Sequence, residues 1–342
     1  MGFSIVVTVI AFGIMVMLHE LGHFLTAKKF GVTVHEFSIG MGPLIFKWGK
    51  GETQYSIRLL PFGGYVKLEG EGDESDDPRA FSNISPIKRI CILVAGAVMN
   101  ILLGFLCFVV INNTYPRVQV PVISEIIPDS AAEEAGLMVG DEIVKLNRTH
   151  VATQSDVALF MMDNALDEVR VTYIRQGEKH KVTLCPTEQE GRALIGFKSS
   201  IKELSFWETV EYSFYDTRYV VKAVMVSIKM MLTGEAKVSD MSGPVGVVQV
   251  VGDAAESASP YGLLAVVMQL LMLFAMISVN LGVFNLLPFP GLDGGSIIFA
   301  FIELITRKKL KQEVLGVINL AGLVLLLGLG IFIMFSDITK LL

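Results

Sequence analysis

The sequence predicts a polytopic α-helical membrane protein with about four transmembrane helices, a membrane-associated β-hairpin and an inserted extracytoplasmic α+β domain. Composition is the first reason. Hydrophobic residues make up 52% of the 342 residues and charged residues only 18%, and the mean hydropathy is +0.57, whereas a soluble domain is about 25% charged. The second reason is a set of four apolar runs, each close to the ~20 residues that a helix needs to cross a bilayer.

The four apolar runs lie at roughly 3–27, 90–112, 262–287 and 314–335. No Lys or Arg precedes the first run and no small-residue cleavage pattern follows it, so we expect a retained membrane helix rather than a signal peptide. No internal repeat is visible in the sequence, which disfavours the inverted-repeat transporters. The chain therefore divides into two membrane parts, 1–112 and 261–342, separated by a long intervening segment.

Basic residues predict how the chain lies across the membrane. The loop between the first two spans contains nine Lys or Arg residues, and the loop between the last two contains Arg307, Lys308, Lys309 and Lys311. Because Lys and Arg accumulate on the cytoplasmic side, both loops are expected to be cytoplasmic. The N-terminus and the segment 113–261 are then extracytoplasmic.

The intervening segment has two sections. Residues 116–200 contain short β-strand runs and a helix near Ser155–Asp163, which is typical of a small α+β domain. Their pattern from Ser130 to Asn147 resembles a PDZ domain of the bacterial type, with glycines where a helix ends and a turn precedes a buried strand. Residues 205–260 mix aromatic and charged side chains, which predicts an interfacial amphipathic helix and a linker.

Charge and cysteine content exclude two kinds of function. The formal net charge is −6 and there is no long basic tract, so no nucleic-acid partner is expected. The three cysteines, Cys91, Cys107 and Cys185, form an odd set without metal-ligand spacing. We therefore expect neither a disulfide framework nor a cysteine metal site.

The strongest chemical signal is the pentapeptide His19-Glu20-Leu21-Gly22-His23 at the end of the first apolar run. Residues four apart lie on one face of a helix, so both imidazoles can bind one metal ion, and Glu20 lies beside that site as a proton acceptor. Zinc suits these ligands and lowers the pKa of a bound water to about 7. The alternative is that the motif matches by chance. That alternative leaves three ionisable groups in an apolar segment unexplained, and such groups in a membrane segment are functional by default.

A second unusual stretch offers the third protein ligand that a catalytic zinc requires. It runs from Asn280 to Gly295, and after Asn285 two prolines and three glycines interrupt the third span near its cytoplasmic end. Irregular backbone at that depth is tolerated only against protein or a watery cavity. Asp293, at the depth of the two histidines, is the expected third ligand. The alternative is that Asp293 only caps a helix that begins near Ser296.

These motifs together resemble the site-2 protease family of intramembrane zinc metalloproteases. The resemblance rests on HExxH in a first membrane helix, an LDG motif around Asp293 at the end of a later one, and an intervening PDZ-like domain. It covers essentially the whole chain and is closest to the bacterial regulator-of-sigma-E protease group. It implies a Zn²⁺ ion held by His19, His23 and Asp293, with Glu20 as the catalytic acid/base. It also implies a bacterial inner (cytoplasmic) membrane location, with the active site near the cytoplasmic side.

The same resemblance suggests further site residues. Asn280 lies where the family has an asparagine implicated in substrate handling, and Pro288 and Pro290 match the prolines before its LDG motif. The stretch Gly243-Pro244-Val245-Gly246 also recurs in the family, without an assigned mechanism. One difference is that the best-known members have two PDZ domains, whereas this chain has room for one. Their scheme of gating and substrate selection therefore need not apply here.

The loop after the HExxH helix is predicted to form a β-hairpin. Two runs, 55–59 and 65–68, flank a Pro-Phe-Gly-Gly turn, and the stretch resembles the family's membrane re-entrant β-loop. An exposed edge could bind an unwound substrate segment as an added strand. The residues predicted to bind substrate in this way are Tyr55, Ile57, Leu59, Gly63 and Gly64. The alternative is a cytoplasmic hairpin that only packs against protein, with its charged residues protecting the edge.

The predicted function is hydrolysis of peptide bonds within or near the transmembrane segments of single-pass membrane proteins. By resemblance, the substrate is an anti-sigma factor already trimmed by a site-1 protease, or a remnant signal peptide, and the lipid bilayer is the other partner. One rival is a transporter or proton relay that uses the buried His, Glu and Asp, which predicts no stoichiometric zinc. Another is a non-catalytic PDZ membrane adaptor, for which Glu20→Gln would have no effect.

Overall fold

The computed structural model describes residues 2–72, 74–163, 168–189, 192–237 and 241–341. The chain divides into two compact units: the first comprises Met1–Cys107 and Ala236–Leu342, and the second is Phe108–Glu235. In chain order the elements are α1 (Gly2–Lys29), β1 (Val34–Trp48), β2 (Gln54–Leu68), α2 (Pro86–Thr114), β3 (Arg117–Ile126), α3 (Ala131–Glu134), β4 (Glu142–Leu146), β5 (Thr149–His150), α4 (Gln154–Asp163), β6 (Val169–Arg175), β7 (Glu178–Leu184), β8 (Thr187–Gln189), β9 (Arg192–Leu194), β10 (Phe197–Glu203), α5 (Phe206–Thr233), α6 (Pro244–Ala258), α7 (Leu263–Asn285), α8 (Asp293–Thr306) and α9 (Gln312–Leu341).

Four helices in the described part of the chain are long and apolar enough to cross a membrane. They are Gly2–Lys29, Pro86–Thr114, Leu263–Asn285 and Glu313–Lys340. The four predicted spans are therefore confirmed as helices, and the chain is a polytopic membrane protein. Sequence patterns assign the segment before the third span to a linker, but residues 244–258 form the helix α6. This difference arises because a valine-rich stretch lacks the usual signals of a helix, which here begins at a favourable Pro244.

Small residues bring the spans of the first unit close together. A Cβ on Gly22 of α1 would lie 2.4 Å from the carbonyl oxygen of Ala95 in α2. A Cβ on Gly282 of α7 would lie 2.8 Å from the carbonyl oxygen of Ala97, also in α2. Such contacts are typical of transmembrane helix interfaces, where small side chains let backbones approach. As a result, α2 lies against both the HExxH helix and the helix that precedes Asp293.

The Gly243-Pro244-Val245-Gly246 stretch forms the N-terminus of α6 and contacts α9. The N–H of Gly246 donates to Oδ2 of Asp337, a buried residue of α9, over 2.8 Å. A Cβ on Gly243 would lie 2.8 Å from the same oxygen. A carboxylate is favourable at a helix N-terminus because it pairs with free N–H groups and the positive end of the dipole. The stretch therefore joins α6 to α9.

The hairpin of β1 and β2 folds back on itself, so its residues form more strand pairings than a simple two-stranded hairpin does. The first half of β1 pairs with residues 64–68 at the end of β2, and also with residues 54–57 at its start. The second half of β1 pairs with the start of β2 again, as in the pair Trp48 and Tyr55. The start of β2 thus has partners on both sides, whereas residues 64–68 form an outer edge of this sheet.

Apolar side chains project outward from the hairpin. Ile45, Phe46 and Leu59 are 61%, 59% and 58% exposed. Exposed apolar groups of this density are unusual on a surface that faces water. They suit a hairpin that meets lipid, as the sequence predicts.

The second unit contains a sheet with the strand order β10-β3-β4-β6-β7, and β5 pairs with β4. Its core includes the fully buried Ile143, Leu146, Val169 and Val171. The long helix α5 begins with a capping box at Ser205 and ends at Gly234, which adopts the left-handed conformation that favours glycine.

Asp156 on α4 forms salt bridges with α5. Its carboxylate lies 2.7 Å from Arg218 and 3.0 Å from Lys222. Burial alone would raise the pKa of Asp156, but the Ala152 N–H and Lys222 hold that pKa below its ordinary value. A buried carboxylate paired in this way keeps its charge and fixes the contact between the two helices.

Candidate metal centre and active site

The two histidines of the HExxH motif face one point because α1 is a regular helix. His19 and His23 lie one turn apart, and their Nε2 atoms are 3.1 Å from each other. Both are buried, with 7% and 8% of their surface exposed. Two imidazole nitrogens this close to each other would be left poorly satisfied without a shared partner between them.

Asp293 reaches the same point from the start of α8. The chain after α7 folds back over this helix start, so a Cβ on Gly294 would lie 2.1 Å from the carbonyl oxygen of Leu287. Only glycine fits there. Leu292, not Asp293, is the capping residue of α8, so the alternative in which Asp293 serves only as a helix cap is not supported. Its Oδ2 instead lies 3.0 Å from Nε2 of His19 and 3.4 Å from Nε2 of His23.

The geometry of these three donor atoms fits a tetrahedral zinc ion. Ligand atoms about 2.0–2.1 Å from zinc, at tetrahedral angles, lie about 3.4 Å from each other. The three observed separations are 3.0, 3.1 and 3.4 Å. Oδ2 of Asp293 is also buried without a hydrogen-bond partner among the described residues. Two neutral imidazoles and a carboxylate are a preferred set of zinc ligands, with a fourth position left for water.

Outer contacts orient the two imidazoles. Nδ1 of His23 lies 2.8 Å from the carbonyl oxygen of Ile92 in α2, to which it donates, leaving Nε2 free for the metal. The side-chain amide of Asn285, the last residue of α7, lies 3.5 Å from Nδ1 of His19; an imidazole that binds metal through Nε2 carries its proton on Nδ1, so this ring would donate to the amide oxygen of Asn285. Contacts of this kind fix the tautomer and ring direction of metal-binding histidines.

Gly96 of α2 packs directly against both imidazoles. A Cβ at this position would lie 2.5 Å from Nε2 of His23 and 2.8 Å from Cε1 of His19. Any side chain here would therefore occupy the space of the rings or of the metal itself. The close packing of α2 on α1 thus forms one wall of the site.

Glu20 is held at the edge of the hairpin. Its Oε2 accepts a hydrogen bond of 3.1 Å from the main-chain N–H of Val66 in β2, and its Cγ would lie 3.7 Å from a Cβ on Gly64. A cavity of about 40 Å³ adjoins Glu20, His23 and Asp293, and Glu71 also lines it. This volume has room for about one water molecule.

The hairpin residues predicted to bind substrate fall into two groups. Tyr55 and Ile57 each have β1 partners on both sides, so their backbone offers no free edge for an added strand. Gly64 lies on the outer edge beside Glu20, whereas Gly63 packs against Met41. Leu59 is exposed on the hairpin surface. A substrate role for these residues stays a prediction, with the edge at 64–66 the part nearest the metal site.

Of the three residues taken from the family resemblance, Asn280 lies within the last turns of α7, and Pro288 and Pro290 follow its end. Asn280 is five residues before Asn285, which places the two about 140° apart around the helix, so Asn280 does not share the face that meets His19. The carbonyl oxygen of Pro290 packs against Gly322 of α9, where a Cβ would lie 2.0 Å away. That contact is structural. Substrate binding by Asn280, Pro288 and Pro290 stays a prediction.

Three contributors to the site carry no strong signal in the sequence. Val66 acts through its main chain, Gly96 through the absence of a side chain, and Glu71 from a loop after the hairpin. Asn285 could have been singled out, because it opens the irregular stretch that contains Asp293. The other three become visible only when the elements are packed.

Comparisons with known proteins agree with this site. A family model described as Peptidase family M50 matches residues 7–329. A Clostridium acetobutylicum protein named as a zinc metalloprotease is 39% identical over 98% of this chain and 97% of its own length. The Zinc metalloprotease RasP of Geobacillus kaustophilus is 28% identical over 98% of each chain. The Regulator of sigma-W protease RasP of Bacillus subtilis is 26% identical over 99% of each chain.

Proposed function

The chain belongs to peptidase family M50 and is an intramembrane zinc metalloprotease of the site-2 type, and we propose that His19, His23 and Asp293 are its zinc ligands and Glu20 its catalytic acid/base. One observation carries this assignment. The three donor atoms converge to within 4.8 Å of one another, next to a carboxylate that is not one of them. Ionisable groups at the end of a membrane helix are functional by default, and two imidazoles and a carboxylate at these separations match a zinc ligand set.

Glu20 moves the proton in this proposal. Zinc, when bound, lowers the pKa of a water ligand and polarises a carbonyl oxygen. Glu20 accepts the proton of the attacking water and then donates it to the nitrogen of the departing amine. The small cavity beside Glu20, His23 and Asp293 is of the right size for that water. No covalent bond between enzyme and substrate is required.

The outer edge of the hairpin is the proposed substrate platform. A peptide bond within a helix is shielded by its neighbours, so the substrate segment must be extended before it is cut. The edge at 64–66 runs past Glu20, and an added strand there would lie beside the metal ligands. The exposed apolar side chains of the hairpin suit an approach from the lipid phase.

We propose that the N-terminus and the second unit are extracytoplasmic and that residues 116–200 are a PDZ-like domain. The basic loops support that orientation. A groove of about 570 Å³ in the second unit supports peptide binding, since it lies between α4 and the strands β9 and β10. Its α4 wall includes Ala158, Met161 and Met162, and methionines adapt to varied apolar partners.

The proposed substrate class is a single-pass membrane protein whose outer part has been shortened, such as an anti-sigma factor. The groove would then bind the extended end of the shortened substrate. A signal-peptide remnant has the same chemistry and is the second candidate.

Purified full-length protein and a single-pass peptide in detergent test the proposal. We expect one cut within or near the apolar segment of a substrate with a short outer tail, and no cut by the Glu20→Gln variant. If the protein is a transporter, a proton relay or an adaptor, the zinc-loaded preparation will yield no cleavage product. That result would refute the proposal. Ala158→Trp, which fills the groove, should slow the same cleavage, whereas an unchanged rate would show that the groove does not capture substrate.

A further inference from the structure

The main-chain N–H of Val66 is placed to control the catalytic carboxylate. It donates to Oε2 of Glu20 over 3.1 Å, although the two residues are 46 positions apart. The hydrogen of this N–H points at Glu20, so it is not available to the ladder between β2 and β1. In an antiparallel pair, alternate residues direct both backbone groups outward, and Val66, opposite Phe37, is such a residue.

The contact joins the hairpin to the proton-transfer group. A carboxylate has two oxygens, and a donor fixed on one of them leaves the other to face a water. The cavity adjoining Glu20, His23 and Asp293 is where that water would lie. The Val66 side chain packs against the buried cluster of Val34, Leu68 and Ile92, and this packing holds the main-chain N–H of Val66 in place.

We propose that Val66 is a positioning residue whose main-chain N–H holds Glu20 in the direction needed for proton transfer. The inference rests on the proposed role of Glu20 as acid/base. The outer edge of the hairpin then has two roles. Val66 positions Glu20, and Gly64, two residues earlier on the same side of the strand, remains free to pair with a substrate strand.

Val66→Pro removes this hydrogen together with part of the side-chain packing against the cluster of Val34, Leu68 and Ile92. Proline lacks an N–H, and at an edge position whose N–H points away from the neighbouring strand it removes no hydrogen bond between β1 and β2. Tyr65 is already extended, as a residue before proline prefers. Loss of one hydrogen bond to a charged group should lower kcat about 10- to 100-fold. We expect the KM for the single-pass peptide to stay within about twofold, because the Val66 N–H is bound to Glu20 and is not offered to a substrate strand. The zinc content should be unchanged, because the metal ligands are untouched.

Val66→Ala is the matched variant, because it loses side-chain packing but keeps the N–H. It should retain most of the turnover that Val66→Pro loses. If Val66→Pro does not fold, replacing Val66 by its α-hydroxy acid exchanges the N–H for an oxygen and preserves the side chain, and the same loss of kcat is expected.

Two results would overturn the inference. Equal kcat in Val66→Pro and Val66→Ala, with Glu20→Gln inactive, would show that the N–H does not position Glu20 while leaving the role of Glu20 intact. A loss confined to KM would assign the N–H to substrate binding instead. If Glu20→Gln keeps wild-type turnover, the proposed function itself fails, and the positioning role fails with it.

Discussion

Replacing Glu20 by glutamine is expected to lower kcat by about 10²- to 10⁴-fold, the usual contribution of a positioned acid/base, while zinc remains bound. Glutamine has nearly the same shape and can still accept a hydrogen bond from Val66, but it cannot take up or release the proton. The metal ligands His19, His23 and Asp293 are untouched. Peptide cleavage and zinc content are measured on the same purified preparation.

Glu52→Gln provides the control for this first prediction. Glu52 lies in the same unit but pairs with Lys28 and Arg79 near the protein surface, away from the metal cluster. Its substitution removes a carboxylate without touching the site, so cleavage should persist. Cleavage by Glu20→Gln at the wild-type rate would contradict the assignment of the acid/base, and loss of zinc in that variant would make Glu20 a part of the metal site.

Gly96→Ala should disrupt the metal site although it changes no ligand. A Cβ would lie 2.5 Å from Nε2 of His23 and 2.8 Å from Cε1 of His19, distances that real Cβ atoms do not tolerate. Either the imidazoles rotate or α2 moves away, and both changes spoil the convergence of the three donors. We expect zinc affinity to fall about 10- to 100-fold, as when the contacts that orient metal-binding histidines are lost, with a matching loss of cleavage.

Gly328→Ala on α9 is the matched glycine variant for this second prediction. Nothing lies within 4 Å of a Cβ at that position, so the substitution adds a methyl group to a membrane helix without a clash. It should retain zinc and activity. Full zinc binding by Gly96→Ala would mean that α2 does not lie against the histidines in the working enzyme.

The sequence was informative where a single element decides the outcome. Four spans follow from hydropathy, because a lipid-exposed helix needs apolar residues over its whole length. His19 and His23 share a face because helix periodicity alone puts them there. Asp293 could be chosen as their partner because an irregular, polar stretch at membrane depth is costly unless it has a purpose.

The sequence was less informative where several elements must meet. The double pairing of β1 depends on how the hairpin folds on itself, which strand patterns of period two do not encode. Gly96 resembles any small residue of a membrane helix until α2 is laid on α1. Val66 acts through its main-chain N–H, which every residue except proline has, so its side-chain type gives no indication of this role. These residues were found only from distances between elements far apart in the chain.

His19, His23 and Asp293 are proposed to bind one zinc ion. The most direct test is the zinc content per chain of the purified wild-type protein and of Asp293→Ala, measured by elemental analysis after removal of loosely bound metal. We expect about one zinc per wild-type chain, as for a three-ligand catalytic site, and a large loss of zinc from a folded Asp293→Ala protein. A wild-type protein without zinc, or an Asp293→Ala protein that retains zinc fully, would contradict the assignment of these three residues as zinc ligands.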